Sequence, residues 1–485
     1  MPEGPSPPGD YPVVVVGSGP GGLQTSYCLG RLGVEHALLT ADDAPGGMFR
    51  WAPVCQRLLS WSKPDAPFEP GTREYEWYDH NSLLADEPGP SGLVPRLMDR
   101  AFVVPSRAEM ERALVEFAEL TGLEPRFGCR WEGTRRDGDG RLVLATSDGE
   151  YRCRAAVFAI GVTAPWKSPI PGIEEAPHYA EARPPEEYRG KRVFVVGKRN
   201  SGFELADALL PWARQVILGS PRPVDMKVVA LASVRVRYLQ PWEDAGLGGG
   251  TFALDVALDR LERTANGWRV CGRGTTREGL VELDVDEVLV ATGFSTPLLD
   301  LPGLGVRTTA QGRIPALTPF WESEPGSGIY FAGNATQGAA GLRKHGVGAS
   351  SPAVHGFRYN ARVLARRLAA DLGAPPPLER VAREELVPYL LREAALAPEL
   401  WTQKSYLARE VSLEDGSTDI VPLAHFLDAP GGAAAAVAVE MDAAGEIYPA
   451  VYVRRGGNVT EHLLPPAQLH DFRGPEHERA LAALL

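Results

Sequence analysis

Apolar positions in this chain fall into two patterns, short continuous runs and 3.6-residue spacing, which separate buried strands from amphipathic helices. Val13, Val14, Val15 and Val16 form a continuous run that stops at Gly17-Ser18-Gly19-Pro20-Gly21-Gly22, and a helical pattern follows over 23–32. About 180 residues later the arrangement recurs: Val193, Phe194, Val195 and Val196 run into Gly197-Lys198-Arg199-Asn200-Ser201-Gly202 before Phe203, Glu204, Leu205 and Ala206. Further strands are predicted at 35–40, 142–145, 154–160, 215–218 and 287–290. Ser106-Arg107-Ala108-Glu109 has capping-box spacing, with Met110, Leu114, Phe117 and Leu120 on one helical face behind it. Gly328-Ile329-Tyr330-Phe331-Ala332-Gly333-Asn334 is another strand-to-glycine turn, and Ser351-Pro352 reads as a helix N-cap with proline at the first position. A proline-rich hinge at 374–377 precedes a tail with a hairpin (436–441 and 448–453) and a short helix from about Pro475. The tail carries no visible chemistry and reads as a small cap or a contact between copies of the chain.

A strand entering a glycine turn that opens a helix is the signature of a dinucleotide pocket, and here it occurs twice. In the first turn Gly17 allows the tight bend, Gly19 the approach of a pyrophosphate and Gly22 close helix–strand packing. Phosphate charge then sits on the free N–H groups of the helix N-terminus. The carboxylate usually expected at the end of the second strand, to hold the ribose hydroxyls, is replaced by Thr40, with Asp42 or Asp43 just beyond as substitutes. The second turn keeps Gly197 and Gly202 but has Arg199 at the middle glycine, adding a cation beside phosphate. Its following strand ends at Gly219-Ser220-Pro221-Arg222, where Ser220 and Arg222 suit a 2′-phosphate, so NADP is preferred over NAD. Ala291-Thr292-Gly293-Phe294 ends the 287–290 strand, with Gly293 again permitting close approach to a nucleotide. A helix N-terminus near Ser351 would point N–H groups at an electron-rich ring that becomes anionic on reduction.

With 485 residues, two or three domains are expected. The formal net charge of −12 disfavours nucleic-acid or anionic-membrane binding. Residues 1–10, rich in proline and glycine, read as a disordered tail rather than a signal peptide, and no apolar run approaches a membrane span. Cys28, Cys55, Cys129, Cys153 and Cys271 contain no C-x-x-C, which fits reduced thiols in a cytoplasm and speaks against zinc or a redox dithiol. Cys28 and Cys55 are read as packing residues, with a lone redox thiol as the alternative. Asn458-Val459-Thr460 matches a glycosylation pattern only by chance if no export signal precedes it. The aromatic stretch from 51 to 105, with Trp51, Trp61, Phe68, Tyr75, Trp77, Tyr78 and His80, is read as a loop shaping an apolar pocket, or else as aromatics anchoring an insertion. His178, His345 and His355 are read as structural rather than as acid or base groups.

Together the motifs resemble the two-dinucleotide-binding-domain flavoproteins, the superfamily of thioredoxin-reductase-like enzymes and class B flavin monooxygenases. The carriers are Gly17 to Gly22, Gly46-Gly47, Ala159-Ile160-Gly161, Asn200-Ser201-Gly202, Ala291-Thr292-Gly293 and Phe331-Ala332-Gly333-Asn334. The resemblance implies an α/β fold of two Rossmann-like domains, an FAD domain with an inserted NADP domain, plus a small C-terminal α+β extension. The expected boundaries are 11–175 and 298–373 for the FAD domain, 176–297 for the NADP domain and 378–485 for the extension. FAD would meet Gly17, Ser18, Gly19, Pro20, Gly22, Thr40, Gly47, Met48, Phe49, Gly161, Gly333, Asn334 and Ser351. NADPH would meet Gly197, Arg199, Asn200, Ser201, Gly202, Ser220, Arg222 and Gly293.

Gly46-Gly47-Met48-Phe49, the capped helix at Ser106 and Ala291-Thr292-Gly293-Phe294 look most like monooxygenases acting on small amines, thioethers or ketones. Their implied chemistry is hydride transfer from NADPH to FAD, a flavin C4a-hydroperoxide formed with O2, and oxygen transfer to a small-molecule substrate. Pro171-Gly172-Ile173-Glu174-Glu175-Ala176-Pro177-His178 departs from the F-x-G-x-x-x-H signature of Baeyer–Villiger enzymes, so oxidation at nitrogen or sulfur is expected over ketone chemistry. Residues 178–201 also look similar to bacterial reductases of low-molecular-weight disulfides, so an NADPH-dependent reductase of a disulfide or quinone-type acceptor is one alternative. A non-catalytic nucleotide-binding protein is another, suggested by Thr40 and Arg199.

Overall fold

In the first unit, strand β1 (Gly9–Val16) enters helix α1 (Pro20–Arg31) and the chain returns as β2 (His36–Leu39). Helix α2 (Arg107–Leu120) follows, then β3 (Trp131–Arg136), β4 (Leu142–Thr146) and β5 (Gly149–Phe158). β1 lies parallel between β2 and β5. A strand paired on both edges and covered on both faces has no polar face, which is why its valines run without alternation. The computed structural model describes residues 4–51, 57–224, 234–341 and 348–485, with the backbone alone at 244–247. The predicted capping box is present: Ser106 Oγ accepts from Glu109 N, and Glu109 Oε2 accepts from Ser106 N at 2.6 Å. The reading of residues 1–10 as a disordered tail is corrected over 6–10, residues 1–3 lying outside the described residues. Gly9 and Asp10 pair with Tyr151 and Arg152 of β5, and Tyr151 Oη donates to Ser6 O at 2.9 Å. A neighbouring strand edge captures a segment whose composition alone suggests disorder.

The second unit holds β6 (Arg192–Val196), α3 (Asn200–Leu209), β7 (Gln215–Ser220), β8 (Thr251–Thr264), β9 (Gly267–Gly274), β10 (Leu280–Val285) and β11 (Glu287–Val290). Their sheet order is β10-β9-β8-β7-β6-β11, parallel from β8 to β11 and antiparallel over β8, β9 and β10. Val193 and Val195 pack with Phe203 and Leu205 of α3, while Phe194 and Val196 pack on the opposite face with Trp268 and Val270. Period two with both faces buried explains this second continuous run.

The chain then completes the first unit. β12 (Ile329–Phe331) adds in parallel to β5, and α4 (Val354–Asp371) and α5 (Leu386–Leu396) follow. The tail contributes β13 (Leu407–Ser412), β14 (Ser417–Pro422), β15 (Ala434–Met441), β16 (Ile447–Arg455), β17 (Asn458–Leu463) and α6 (Pro475–Ala482). The predicted hairpin, β15–β16, holds the fourth and fifth places of a six-stranded sheet that runs from the two-residue strand Glu379–Arg380 through β14, β13, β15 and β16 to β17. The chain divides into two compact units, Met1–Arg50 with Ser60–Val162 and Thr296–Leu485, and Trp51–Leu59 with Thr163–Ser295. No helix among the described residues is long and apolar enough to cross a membrane.

A buried charge cluster ties the tail to the segment before α2. Arg73 grips Glu393 through two bonds of 2.7 Å and Glu399 through two of 2.6 and 3.3 Å, while Arg409 Nε donates to Glu393 at 2.9 Å. Burial alone would raise the Glu393 carboxyl, but the hydrogen bonds of Arg73 and the charge of Arg409 hold it below its ordinary value. Its contribution to stability is therefore present at neutral pH and lost as pH falls from the ordinary carboxylate range through that lowered value. Replacing Glu393 by Gln leaves two guanidinium groups undercompensated and is expected to cost about 3 kcal/mol in urea unfolding at neutral pH. Glu150→Gln, which breaks only the exposed Arg135–Glu150 pair, is expected to cost less than about 1 kcal/mol. Equal losses for the two variants would contradict this account.

Candidate functional site

At the first glycine turn the fold leaves room for backbone and nothing else. Gly17 sits at φ +110°, and a Cβ there would lie 2.5 Å from Ala159 O. A Cβ on Gly22 would lie 1.7 Å from Gly17 O, and one on Gly21 2.5 Å from Gly333 Cα. Gly47, at φ +55°, brings its own backbone against Gly19. The turn, Gly47 and Gly333 therefore converge on the N-terminus of α1. That helix has Pro20 at its start, Gly19 as an extended N-cap with no side-chain cap, and no acid in its first turn. Its free N–H groups are left for an anion. Gly21 was not among the residues assigned to the cofactor, although the additional glycine in the motif was the available signal.

Beyond the end of β2, Ser18 Oγ donates to Thr40 Oγ1 at 3.0 Å, and Asp42 N donates to the same oxygen at 3.2 Å. Asp42, rather than Asp43, therefore accompanies Thr40, because Asp43 is taken by Arg50. A cleft of about 700 Å³ opens beside this point, lined by Pro45, Val115, Ala118, Phe127 and Gly128 among others. Glu119, Glu124, Arg126 and Asp148 line it as well, so the cleft is mixed in polarity, and it adjoins the second strand end, where the adenosine half of a dinucleotide is expected. Phe127 was missed because nothing in its local sequence marks it.

Gly161, at φ +72°, follows β5, and Met48 and Phe49 lie half-buried in the turn Gly47–Arg50. Asn334 follows Gly333, and its carbonyl accepts from Gln337 Nε2 at 2.8 Å. Ser351 requires a correction. α4 begins at Val354 with Ala353 as N-cap, so Ser351 does not cap it. Its hydroxyl instead accepts from Asn360 Nδ2 and from Gln403 Nε2, each at 3.0 Å, while Gln403 Nε2 also reaches Asn360 Oδ1 at 2.6 Å. Asn360 Nδ2 continues to Thr336 Oγ1 at 3.0 Å, and Thr336 donates to Gly333 O at 2.7 Å. All four side chains are buried. Gln403, from the tail, thus reaches through three neighbours to the glycine of the cradle, with no sequence motif to announce it.

The aromatic stretch divides between its two readings. Arg358 of α4, fully buried, donates to the carbonyls of Glu76, Asp79 and Ser82, and Trp77 Nε1 donates to Leu396 O, so this part is an anchor. Trp61 and Phe68 remain exposed, and Trp61, His80 and His355 stack in sequence at 4.4 and 5.1 Å towards the first turn of α4. Cys55 and His345 lie outside the described residues. His178 is buried, with Nε2 at 2.9 Å from Gly293 O and Nδ1 accepting from Ala180 N at 3.2 Å. Burial holds it below its ordinary pKa, so it is a neutral structural ring.

The second turn repeats the first in outline. A Cβ on Gly197, at φ +122°, would lie 2.5 Å from Ala291 O, and one on Gly202 2.2 Å from Gly197 O. α3 has no side-chain cap at Arg199 and no acid in its first turn, and Asn200 Oδ1 accepts from Arg235 N at 2.9 Å. Ser201 lies in that first turn, Gly293 at φ +100° ends the neighbouring β11, and Ser220 ends β7 with Arg222 exposed just after it.

Glycine-lined closeness, an uncapped helix terminus and an adenosine-sized cleft fit FAD at the first cradle. Gly22→Ala is accordingly expected to yield folded protein without flavin absorbance near the visible maximum. Gly30→Ala, on the same helix where a Cβ meets nothing, should retain flavin at the wild-type level. Visible spectra of the two purified variants check this.

Comparison with known proteins agrees with this geometry. The family model described as pyridine nucleotide-disulphide oxidoreductase matches residues 14–333. The "FAD-dependent oxidoreductase domain-containing protein 2" of Danio rerio is 27% identical over 408 residues, covering 72% of this chain, which spans only 57% of that longer protein. The "Probable indole-3-pyruvate monooxygenase YUCCA9" of Arabidopsis thaliana is 29% identical over 209 residues, 40% of this chain and 43% of that protein. Among solved structures, a flavin-containing monooxygenase from Stenotrophomonas maltophilia aligns with TM-score 0.55 and 21% identity over 75% of this chain and 99% of its own. The chain belongs to the pyridine nucleotide-disulphide oxidoreductase family, within the two-dinucleotide-binding-domain class of FAD-dependent oxidoreductases.

Proposed function

We propose that the chain is an FAD- and NADPH-dependent monooxygenase that places one oxygen atom of O2 on a nitrogen or sulfur atom of a small-molecule substrate. The observation that carries this reading is the state of the thiols. The sequence has no C-x-x-C, and Cys28, Cys129, Cys153 and Cys271 are all buried. Burial pushes the Cys28 thiol up to about 11 and the Cys153 thiol up to about 12, and raises Cys129 and Cys271 as well. A thiol must ionise to attack a disulfide, so none of these four is suited to relaying electrons. No described thiol then relays electrons, which favours direct transfer to a diffusible acceptor, and the monooxygenase relative favours oxygen as that acceptor.

Bound FAD supplies the redox chemistry, accepting hydride from NADPH and reacting with O2. The chain's own residues bind and orient. The first-turn N–H groups of α1 hold the pyrophosphate, and Thr40 with Asp42 faces the ribose. The uncapped N-terminus of α4 favours a ring that gains negative charge on reduction, and Gln403, Asn360 and Ser351 fix the approach to that terminus. On the second cradle, α3 holds a nicotinamide dinucleotide, with Ser220 and Arg222 toward a 2′-phosphate.

The family description itself favours a second reading, in which a disulfide or quinone-type acceptor takes the electrons from FAD. One assay separates them. With a panel of amines and thioethers, the purified flavoprotein is expected to consume NADPH and O2 one for one and to yield a product heavier by one oxygen atom. NADPH oxidation that proceeds under argon with a disulfide or quinone, and shows no substrate-linked oxygen uptake, would contradict the monooxygenase reading and support the other.

A further inference from the structure

In a strand–turn–helix–strand nucleotide fold, the adenosine ribose lies at the end of the second strand, where a carboxylate selects a 2′-hydroxyl and an arginine accommodates a 2′-phosphate. In the second unit that strand is β7, and it ends at Ser220 with Arg222 beyond. The carboxylate comes from one strand further along. Asp255 of β8 pairs in parallel register with Ser220, so it stands beside the ribose position. Its oxygens are already engaged: Oδ1 accepts from Lys198 Nζ, and Oδ2 accepts from Thr276 Oγ1 at 2.6 Å. Thr275 closes the same corner, donating from its N to Asp255 O at 2.9 Å and from Oγ1 to Pro221 O at 2.6 Å.

Lys198 occupies the position just after Gly197 in the second turn, and its side chain is 1% exposed against 24% for Asp255. A buried ammonium needs a partner charge, and Asp255 is the partner the fold supplies. The pair as a whole is neutral, which removes a carboxylate that would otherwise repel a phosphate and bind a ribose diol. Arg222, exposed two residues beyond the strand end, is then left to act on the ligand with its bidentate geometry.

We propose that the Lys198–Asp255 ion pair sets the choice between a 2′-phosphorylated and a plain adenine dinucleotide at this cradle, by masking the Asp255 carboxylate. This rests on the second cradle being a nicotinamide-nucleotide site, and it extends that reading by naming a specificity pair outside the glycine motif. Lys198 acts through Asp255 and is a positioning residue.

Equilibrium titration of the flavin-loaded protein with NADP+ and with NAD+ tests it. Wild type is expected to prefer NADP+. Lys198→Met unmasks the carboxylate and should weaken NADP+ by about tenfold while NAD+ is unchanged or tighter. Adding Asp255→Asn to that variant removes the exposed charge and should restore the preference for NADP+. Parallel weakening of both nucleotides by Lys198→Met, or failure of the double variant to restore the ratio, would overturn the proposal. If Lys198→Met does not fold, Asp255→Asn alone decides: it leaves the Lys198 ammonium uncompensated, so a ratio moved toward NADP+ supports the pair's role, and a ratio unchanged or moved toward NAD+ overturns it. Wild-type protein that binds neither nucleotide would overturn the nucleotide-site reading and this inference together. Binding with an unaltered ratio in every variant would overturn this inference alone.

Discussion

The backbone of α1 meets the backbone after β12 at a distance no side chain can enter. A Cβ on Gly21 would stand 2.5 Å from Gly333 Cα, inside any real carbon–carbon contact. This contact fixes where the N-terminus of α1 ends and brings a segment more than three hundred residues away in sequence against the first turn. Everything proposed for the first cradle follows from it. The helix terminus can serve an anion only because it is uncapped, and it is reachable only because glycine occupies each approach. The second unit repeats the tight turn, with Ala291 O against Gly197 as Ala159 O stands against Gly17, but has Arg199 at the middle glycine and Ser201 in the place of Gly21.

The tail changes the balance of this arrangement. Residues beyond 378 contribute Gln403 to the buried amide and hydroxyl chain that ends at Gly333 O, and they contribute Glu393, Glu399 and Arg409 to the cluster that holds Arg73. A fully satisfied buried network is rigid, whereas a half-satisfied one is costly, so these groups bind the tail to the cradle's geometry rather than to its surface. The matched family segment stops at 333, so Gln403 lies beyond it.

What the sequence displayed was local. The valine runs, the glycine turns and the capping box at Ser106 each depend on neighbours within a few residues, and the structure places all three where their patterns put them. Two kinds of feature were not legible. Some were partnerships across the chain: Gly9 with Tyr151, Ser351 with Gln403, Asp255 with Ser220 and Lys198. Others were strands whose composition hid them. β15 was legible only from 436, since Ala434 and Ala435, which begin it, are weak strand formers that are nonetheless buried in the sheet. Leu280–Val285 alternates apolar and charged residues on an exposed edge, which offered no buried run to recognise. Ser351-Pro352 matched a helix start by composition, but Ser350 N bonds to Thr402 O at 2.9 Å, and this tail contact holds a turn in place of the helix start. The aromatic stretch held both of its readings because Trp77 packs inward against the tail while Trp61 faces outward.

The central claim is that the crossing of Gly19, Gly21, Gly47 and Gly333 builds an FAD site. A crystal structure of the purified chain tests it most directly. The expected result is density for FAD with its pyrophosphate on the N-terminus of α1 and its adenosine at the end of β2 beside Phe127. Flavin bound elsewhere in the chain, or a cradle that excludes added FAD while the fold is intact, would contradict the account.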